Sequence, residues 1–207
     1  MSFVNTVDLI GDEALTNSII DRSITEFADS NLTNLGTHAF GGCSNLTSVD
    51  LPALTSAEPY AFQQCGLEVV NLPVLLTVRL YLFSNNKNLK KVRLPAATSV
   101  EGNAFTYCSS LSEVDLPAAK NVGFDVFRDC SSLSVLILRS GTVCTTSGTL
   151  PNNCPIASGT GYIYVPSALV DSYKAATNWS TYAAQFRALE DYTVDGTTTG
   201  ELDPTKI

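Results

Sequence analysis

Six cysteines have the widest range of possible chemistry in this sequence, because thiols pair as disulfides, bind metals and act as nucleophiles. Four recur at one repeated position, and an asparagine takes the fifth place: Cys43, Cys65, Asn86, Cys108 and Cys130. Equivalent side chains of a repeat point the same way, which is poor geometry for a disulfide. No two cysteines have the short spacing of a zinc site, and His38 is the single histidine. We therefore predict buried thiols in a polar ladder with Asn86, no metal site and no cofactor.

The other candidates for chemistry point away from catalysis. Cys144 and Cys154 lie outside the periodic set, and a disulfide between them and two separate thiols both stay open. A Ser-His-Asp triad would need His38, whose position just before an Ala-Phe pair is more typical of a turn. Residues 158–161 lack the lysine and the spacing of a phosphate-binding loop. No two acids are placed as a general acid and base, so we expect no catalytic residue and no enzyme.

The cysteines belong to a longer repeat, which must position every other side chain. Each copy reads Ala-Phe, two residues, Cys, one or two residues, Leu, two residues, Val, one residue, Leu-Pro. Some copies carry substitutions at these positions. The phenylalanines advance by 22, 21, 22 and 22 residues: Phe40, Phe62, Phe83, Phe105 and Phe127. A fixed period in this range is the signature of a solenoid, in which each unit buries its apolar face only against its neighbours.

Within each unit, residues 46–51 and their equivalents alternate apolar and polar side chains, which predicts a short strand. Val49 and Leu51 would point inward, and Pro52 would end the strand because proline cannot donate a further ladder bond. Parallel strands of successive units would then stack about 4.8 Å apart. The phenylalanine of each unit would be the largest side chain wedged into the core.

Polar side chains between the inward positions form the candidate binding site, on the outward face of the strands. Its six residues are Asp50, Asn71, Lys91, Arg93, Glu113 and Asp115. One interpretation is two solvated cross-strand pairs, each stabilising by about 0.2–1 kcal/mol. Lys91 would pair with Glu113 in the first, and Arg93 with Asp115 in the second. The other interpretation is a charged ligand footprint centred on Arg93.

Three apolar side chains also occupy outward strand positions: Val69, Val135 and Ile137. An exposed apolar run often marks an interface. The same face could therefore carry a charged footprint and an apolar contact.

The periodic pattern divides the chain into four regions. Residues 1–23 are predicted to cap the first unit, and residues 24–139 to form the solenoid. Residues 140–190 form a C-terminal capping region, and residues 191–207 a tail that is loose or ends in a short strand.

The capping region is predicted to contain a strand at residues 162–165 and helices that begin at Ser167 and near Asn178. Along the second helix, aromatic residues recur at three- and four-residue steps: Trp179, Tyr182 and Phe186. They have two interpretations, a lid over the last unit and an aromatic binding patch.

Composition and charge exclude several classes of partner. The chain has 207 residues and a formal net charge of −8, which argues against nucleic acid because phosphate binding needs clustered Lys and Arg. No run approaches the roughly 18 apolar residues of a membrane helix, so we expect no membrane insertion. Residues 1–5 show no basic segment leading into an apolar one, so no signal peptide is visible.

Over residues 24–138 the repeat resembles the BspA-like branch of the leucine-rich repeat proteins, which occur on the surfaces of gut and oral bacteria. The resemblance implies an α/β-type repeat solenoid with a period of about 22 residues, short parallel strands, irregular coils and a helical C-terminal cap. It also implies a non-enzymatic binding module, such as a bacterial surface adhesin. Such a module would recognise a protein or glycan, host ligands included, through the strand face.

The chain ends carry a second resemblance. Residues 8–12, 20–25 and 195–203 are similar to segments of prophage-encoded proteins of Firmicutes. This resemblance implies the alternative function, a structural or receptor-binding component of a phage or prophage virion. The expected localisation is accordingly the cell surface and extracellular space, or the virion.

Overall fold

The computed structural model describes residues 22–150, 153–194 and 197–198. Residues 1–21 of the predicted N-terminal cap lie outside the described residues, as do most of the predicted tail residues.

The described chain is a series of short strands with few helices, as predicted for a repeat solenoid. The strands are, in chain order, β1 (Glu26–Ala28), β2 (Asn34–Leu35), β3 (Ser48–Asp50), β4 (Ser56–Ala57), β5 (Val69–Asn71), β6 (Thr77–Val78), β7 (Lys91–Arg93), β8 (Ser99–Val100), β9 (Glu113–Leu116), β10 (Asn121–Val122), β11 (Val135–Leu138), β12 (Thr145–Thr146), β13 (Tyr162–Val165), β14 (Phe186–Ala188), β15 (Thr193–Val194) and β16 (Thr197–Thr198). The α-helices are α1 (Pro155–Ser158) and α2 (Val170–Ala175), and 3₁₀ turns cover Ser167–Leu169, Ser180–Gln185 and Leu189–Asp191.

Each unit contributes one longer strand and one two-residue strand, so two stacks of parallel strands line the coil. The longer strands form the sheets β1-β3-β5 and β7-β9-β11-β13-β14. The two-residue strands form the sheets β2-β4 and β6-β8-β10-β12. Proline follows most of the longer strands, as predicted, and keeps them short.

The stack of longer strands is divided between β5 and β7, which lie in different sheets. The unit that contains β5 is also the one with the 21-residue step, because a single residue, Gly66, separates Cys65 from Leu67. A Cβ at Gly66 would overlap the Ser44 carbonyl oxygen, so only glycine allows this shortened turn. The shorter unit thus coincides with the division of the strand stack.

The core is a ladder of phenylalanine rings, as the repeat predicted. Phe40, Phe62, Phe83, Phe105 and Phe127 are fully buried, and neighbouring ring centroids lie 5.4, 5.6, 5.3 and 5.8 Å apart. Inward leucine and valine side chains from both strand stacks complete the core. Each unit therefore buries its apolar residues mainly against the units before and after it.

A polar ladder runs beside the phenylalanines and confirms the prediction for the cysteines. The thiols of Cys65, Cys108 and Cys130 each donate to the carbonyl oxygen of the phenylalanine one unit earlier, with S···O distances of 3.1 Å. Asn86 serves the same position with its amide, which donates to Phe62 O at 2.8 Å. Burial raises the pKa of Cys65 and Cys108 to about 12, so these thiols stay protonated.

Two residues before each core phenylalanine, the backbone adopts the left-handed conformation. The five residues have φ between 50° and 65°: His38, Tyr60, Tyr81, Asn103 and Asp125. Asn and Asp tolerate this conformation, whereas an aromatic residue in it is destabilised by about 1–2 kcal/mol of conformational energy. The rings of His38, Tyr60 and Tyr81 stack at 4.6 and 5.1 Å, which offsets part of that cost. His38 lies in a turn, as predicted.

The strand stack continues past residue 139, where the sequence period stops. β13 pairs in parallel with β11, and β14 pairs in parallel with β13. The prediction of a strand at 162–165 is therefore confirmed. The helix predicted from near Asn178 is wrong, since residues 180–185 form a 3₁₀ turn broken at Tyr182, and Phe186 begins β14. Phe186 pairs with Ile163 in the sheet, and this tertiary pairing overrides the helical spacing.

The aromatic residues of the cap are buried and form a lid, which was one of the two interpretations. Trp179 donates from Nε1 to Cys144 O at 2.6 Å, and the Tyr182 hydroxyl donates to Leu150 O at 2.6 Å. The Tyr173 hydroxyl accepts the Cys144 N–H at 2.8 Å. Cys144 and Cys154 are both thiols, so the disulfide alternative does not occur.

Candidate binding site on the strand face

The register of the longer strands places the predicted site residues side by side on one face. Asp50 lies opposite Asn71 in the pairing of β3 with β5. Lys91 lies opposite Glu113, and Arg93 opposite Asp115, in the pairing of β7 with β9. Alternation along each strand therefore brings all six predicted residues to the outward face, as the sequence indicated.

One half of this face is open to solvent, and we call it the open half: Ser48, Asp50, Val69, Asn71, Lys91 and Arg93. Asp50 and Asn71 are exposed and joined by a hydrogen bond of 2.7 Å from Asn71 Nδ2 to Asp50 Oδ1. Val69 is 39% exposed beside them. Lys91 and Arg93 are half-buried and keep part of their side chains at the surface.

The predicted cross-strand ion pairs form, but their acidic partners are withdrawn from solvent. Lys91 Nζ lies 3.4 Å from Glu113 Oε2, and Arg93 Nε lies 3.2 Å from Asp115 Oδ2. Both acids are buried, and Asp115 is 0% exposed. A buried carboxylate needs charge partners and hydrogen bonds to offset its desolvation.

Arg139 supplies the second partner of Asp115, and the sequence reasoning missed it. Its Nε lies 3.0 Å from Asp115 Oδ1, so two guanidinium groups hold one buried carboxylate. The signal was present, because Arg139 replaces the proline that follows Leu in the other units. That proline position ends the strand, which lets the arginine side chain fold back over the neighbouring strand.

The other half of the face is covered by the chain itself, and we call it the covered half: Glu113, Asp115, Ile137 and Tyr164. The Tyr192 ring lies over it, with its centroid 4.8 Å from that of Tyr164. Burial, followed by the charge of the adjacent Glu113 carboxylate, raises the pKa of Tyr192. Ile137 is also fully buried, so the expected exposed apolar run is reduced to Val69 and half-buried Val135.

The open half can bind a ligand by hydrogen bonds, ion pairing and apolar contact. It offers a carboxylate, an amide, two cationic groups and one apolar side chain on neighbouring strands. Among the described residues, no group of three or more His, Cys, Asp or Glu side chains is arranged to hold a metal ion. No helix within the described ranges is long and apolar enough to cross a membrane.

A family model and one solved structure agree with this architecture. A family model, the BspA type leucine rich repeat region, matches residues 8–134 in six copies. A solved leucine rich cell surface protein from Faecalibacterium prausnitzii A2-165 is 23% identical with a TM-score of 0.51, covering 61% of this chain and 33% of its own. A leucine-rich repeat protein from Bacteroides ovatus ATCC 8483 is 23% identical with a TM-score of 0.40, covering 65% and 43%.

The chain thus spans less than half the length of either solved protein, and the first of them supports the fold alone. No curated protein matches the chain. The family model covers more than half of the residues, and within the described part of the chain its range includes the stacked units from β1 to β10. The chain therefore belongs to the BspA-type leucine-rich repeat family.

Proposed function

We propose that this protein is a non-enzymatic binding module of a bacterial cell surface that recognises a protein or a glycan through the open half of its strand face. The observation that supports this proposal is the exposed group of Asp50, Val69 and Asn71 on consecutive strands. Lys91 and Arg93 extend the group by one unit. The family and the cell-surface description of the Faecalibacterium relative support the location.

The solenoid holds the side chains of the open half in place before a ligand binds. Its strands are fixed by the core ladder, so the outward side chains are presented at set spacings and a ligand orders little additional chain. Lys91 and Arg93 are held by Glu113 and Asp115, which fixes the positions of the two cationic side chains in the open half. A guanidinium has five N–H donors, so Arg93 can keep Asp115 and still donate to a ligand.

The proposal is tested by screening the purified protein on arrays of glycans and host proteins. Val69→Glu places a charge at the centre of the open half, and Val74→Glu is its matched control. Val74 has nearly the same exposure, 37% against 39%, but follows the strand in the same unit. We expect Val69→Glu to abolish the array signal and Val74→Glu to preserve it.

An unchanged signal for Val69→Glu, or a silent array, would count against the open half as a recognition surface. Arg93→Glu is a poorer test than the sequence suggests. It would place a second carboxylate beside the fully buried Asp115, so a loss of signal would report unfolding.

A further inference from the structure

We propose that the ligand of the open half is an acidic glycan, with one carboxylate that binds Lys91 and Arg93 and with hydroxyls that bind Asp50 and Asn71. This inference rests on the proposed function, because it gives the ligand class for the same surface. A protein ligand is the alternative that the experiment must exclude.

The cationic side chains of this protein are concentrated in the unit that contains β7. Residues 79–93 include five of the chain's 12 lysine and arginine residues and no aspartate or glutamate. The whole chain has a formal net charge of −8. An anionic group is therefore attracted to this unit and repelled by the net negative charge of the rest of the chain.

The buried acids hold the cations of the open half and leave part of their charge available. Asp115 is shared by Arg93 and Arg139, at 3.2 and 3.0 Å, so these three side chains together keep one positive charge. The side chains of Lys91 and Arg93 are 37% and 23% exposed, so a ligand can reach both. Arg93 uses Nε for Asp115, and its guanidinium has further N–H donors for a ligand carboxylate.

The acid and the amide on β3 and β5 are suited to sugar hydroxyls. Asp50 and Asn71 are exposed and joined by their hydrogen bond of 2.7 Å. A carboxylate accepts several hydrogen bonds, an amide donates and accepts, and a hydroxyl also does both. A second carboxylate on the ligand would be repelled by Asp50 at this end. The open half therefore selects a ligand with its acid over β7 and neutral hydroxyls over β3 and β5.

The two ends of the open half are held next to each other, although β5 and β7 lie in different sheets. Phe62 and Phe83, which belong to these two units, stack in the core at 5.6 Å. Just before the two strands, Lys90 Nζ lies 4.0 Å from Glu68 Oε2. A single short ligand can therefore contact both ends.

The composition of the open half favours a sugar over a protein surface. The core of a protein interface is apolar and rich in aromatic side chains. Val69 is the one apolar member of the six residues that define the open half, and none of the six is aromatic. One apolar side chain among charges and hydrogen-bonding groups suits the C–H face of a single sugar ring.

The first test measures the binding of two acidic glycans by isothermal titration calorimetry: sialyllactose and cellobiouronic acid. The methyl ester of each is its matched control, because the ester keeps the hydroxyls and removes the charge. We expect each acid to bind at least about tenfold more tightly than its ester, and its affinity to fall as salt is added. A blocked Ser-Ser-Glu peptide, with one carboxylate and two hydroxyls but no sugar ring, should bind no better than the esters.

The second test reverses the charge at Val69 and leaves the buried ion pairs intact. Val69→Lys adds a cation near Lys91 while its methylene groups keep the apolar contact, and Val69→Glu adds an anion. We expect Val69→Lys to bind both acids about threefold more tightly than the wild-type chain, and Val69→Glu at least about tenfold more weakly. Val74→Lys and Val74→Glu are the controls outside the open half and should both match the wild-type chain.

Equal affinity for the acids and their esters, no binding of either acid, equal binding of the peptide, or weaker binding by both Val69 variants would overturn the acidic glycan. If Val69→Glu still abolishes the binding of another array ligand, the proposed function stands and only the ligand class is wrong. If neither Val69 variant changes the binding of any ligand, the open half is not the recognition surface and both proposals fail.

Discussion

Replacing Asn86 with alanine tests the polar ladder, because this side chain serves backbone groups in two neighbouring units. Its Nδ2 donates to Phe62 O at 2.8 Å and to Phe83 O at 2.7 Å. Its Oδ1 accepts the Leu67 N–H at 3.4 Å. Phe83 O also accepts the Cys108 thiol at 3.1 Å, so it keeps a donor in the variant. The Phe62 carbonyl and the Leu67 N–H lose the bonds that Asn86 supplies.

The cost follows from those two buried groups. Each unsatisfied group costs about 1–3 kcal/mol, and the long bond to the Leu67 N–H belongs at the lower end. We therefore expect Asn86→Ala to lower the free energy of unfolding by about 2–4 kcal/mol. Asn86→Cys is the matched control, since a thiol here can donate to Phe62 O as Cys65 does to Phe40 O at 3.1 Å. Its loss should be about 1 kcal/mol.

The assay is urea denaturation followed by far-UV circular dichroism, with the m-value compared between variants to confirm that the same surface is exposed on unfolding. Equal losses for Asn86→Ala and Asn86→Cys would mean that the position responds to volume and not to hydrogen bonding. A loss below about 1 kcal/mol for alanine would refute the ladder as a stabilising element.

Two further predictions concern the core. Phe105→Ala removes a fully buried ring and should lower the free energy of unfolding, measured by urea denaturation, by about 3–5 kcal/mol. The control Phe124→Ala removes a residue that is 52% exposed and should lower it by less than about 1 kcal/mol. Similar losses for the two variants would refute the stacked register. The ladder thiols Cys65 and Cys108 should resist a thiol reagent in the native protein and react in urea. Because burial raises their pKa from 9.0 to about 12, they stabilise the fold below pH 9, and the free energy of unfolding should fall as pH rises from 9 toward 12; native labelling at pH 8 would contradict this.

The solenoid could be predicted because its information is local and repeated. A residue type that recurs every unit must occupy the same place in every unit, so Phe40 and its successors identify the core. The strand register followed from the same argument, which is why Lys91 opposite Glu113 was predicted correctly. Asn86 in a cysteine position identified the ladder as polar, since the residue types share only hydrogen-bonding capacity and small size.

The cap could be predicted only in part because it has no period. The strand at residues 162–165 follows from local alternation. The aromatic spacing from Trp179 to Phe186 also fits a helix, and nothing local to it shows that Phe186 pairs with Ile163. A partner strand that is distant in sequence supplied the hydrogen bonds that decided between strand and helix.

By itself, the sequence determined the family, the units, the inward and outward sides of each strand, and the six residues that share the outward face. Tertiary structure alone decided which of those six meet solvent. Asp50 and Asn71 are open, while Glu113 and Asp115 are buried near Tyr192, Glu113 paired with Lys91 and Asp115 with two arginines. The reason is physical. The period of the repeat fixes whether a side chain points inward or outward, because equivalent residues occupy equivalent places. Burial of an outward side chain depends on where a segment distant in sequence packs, and the repeat contains no information about that segment.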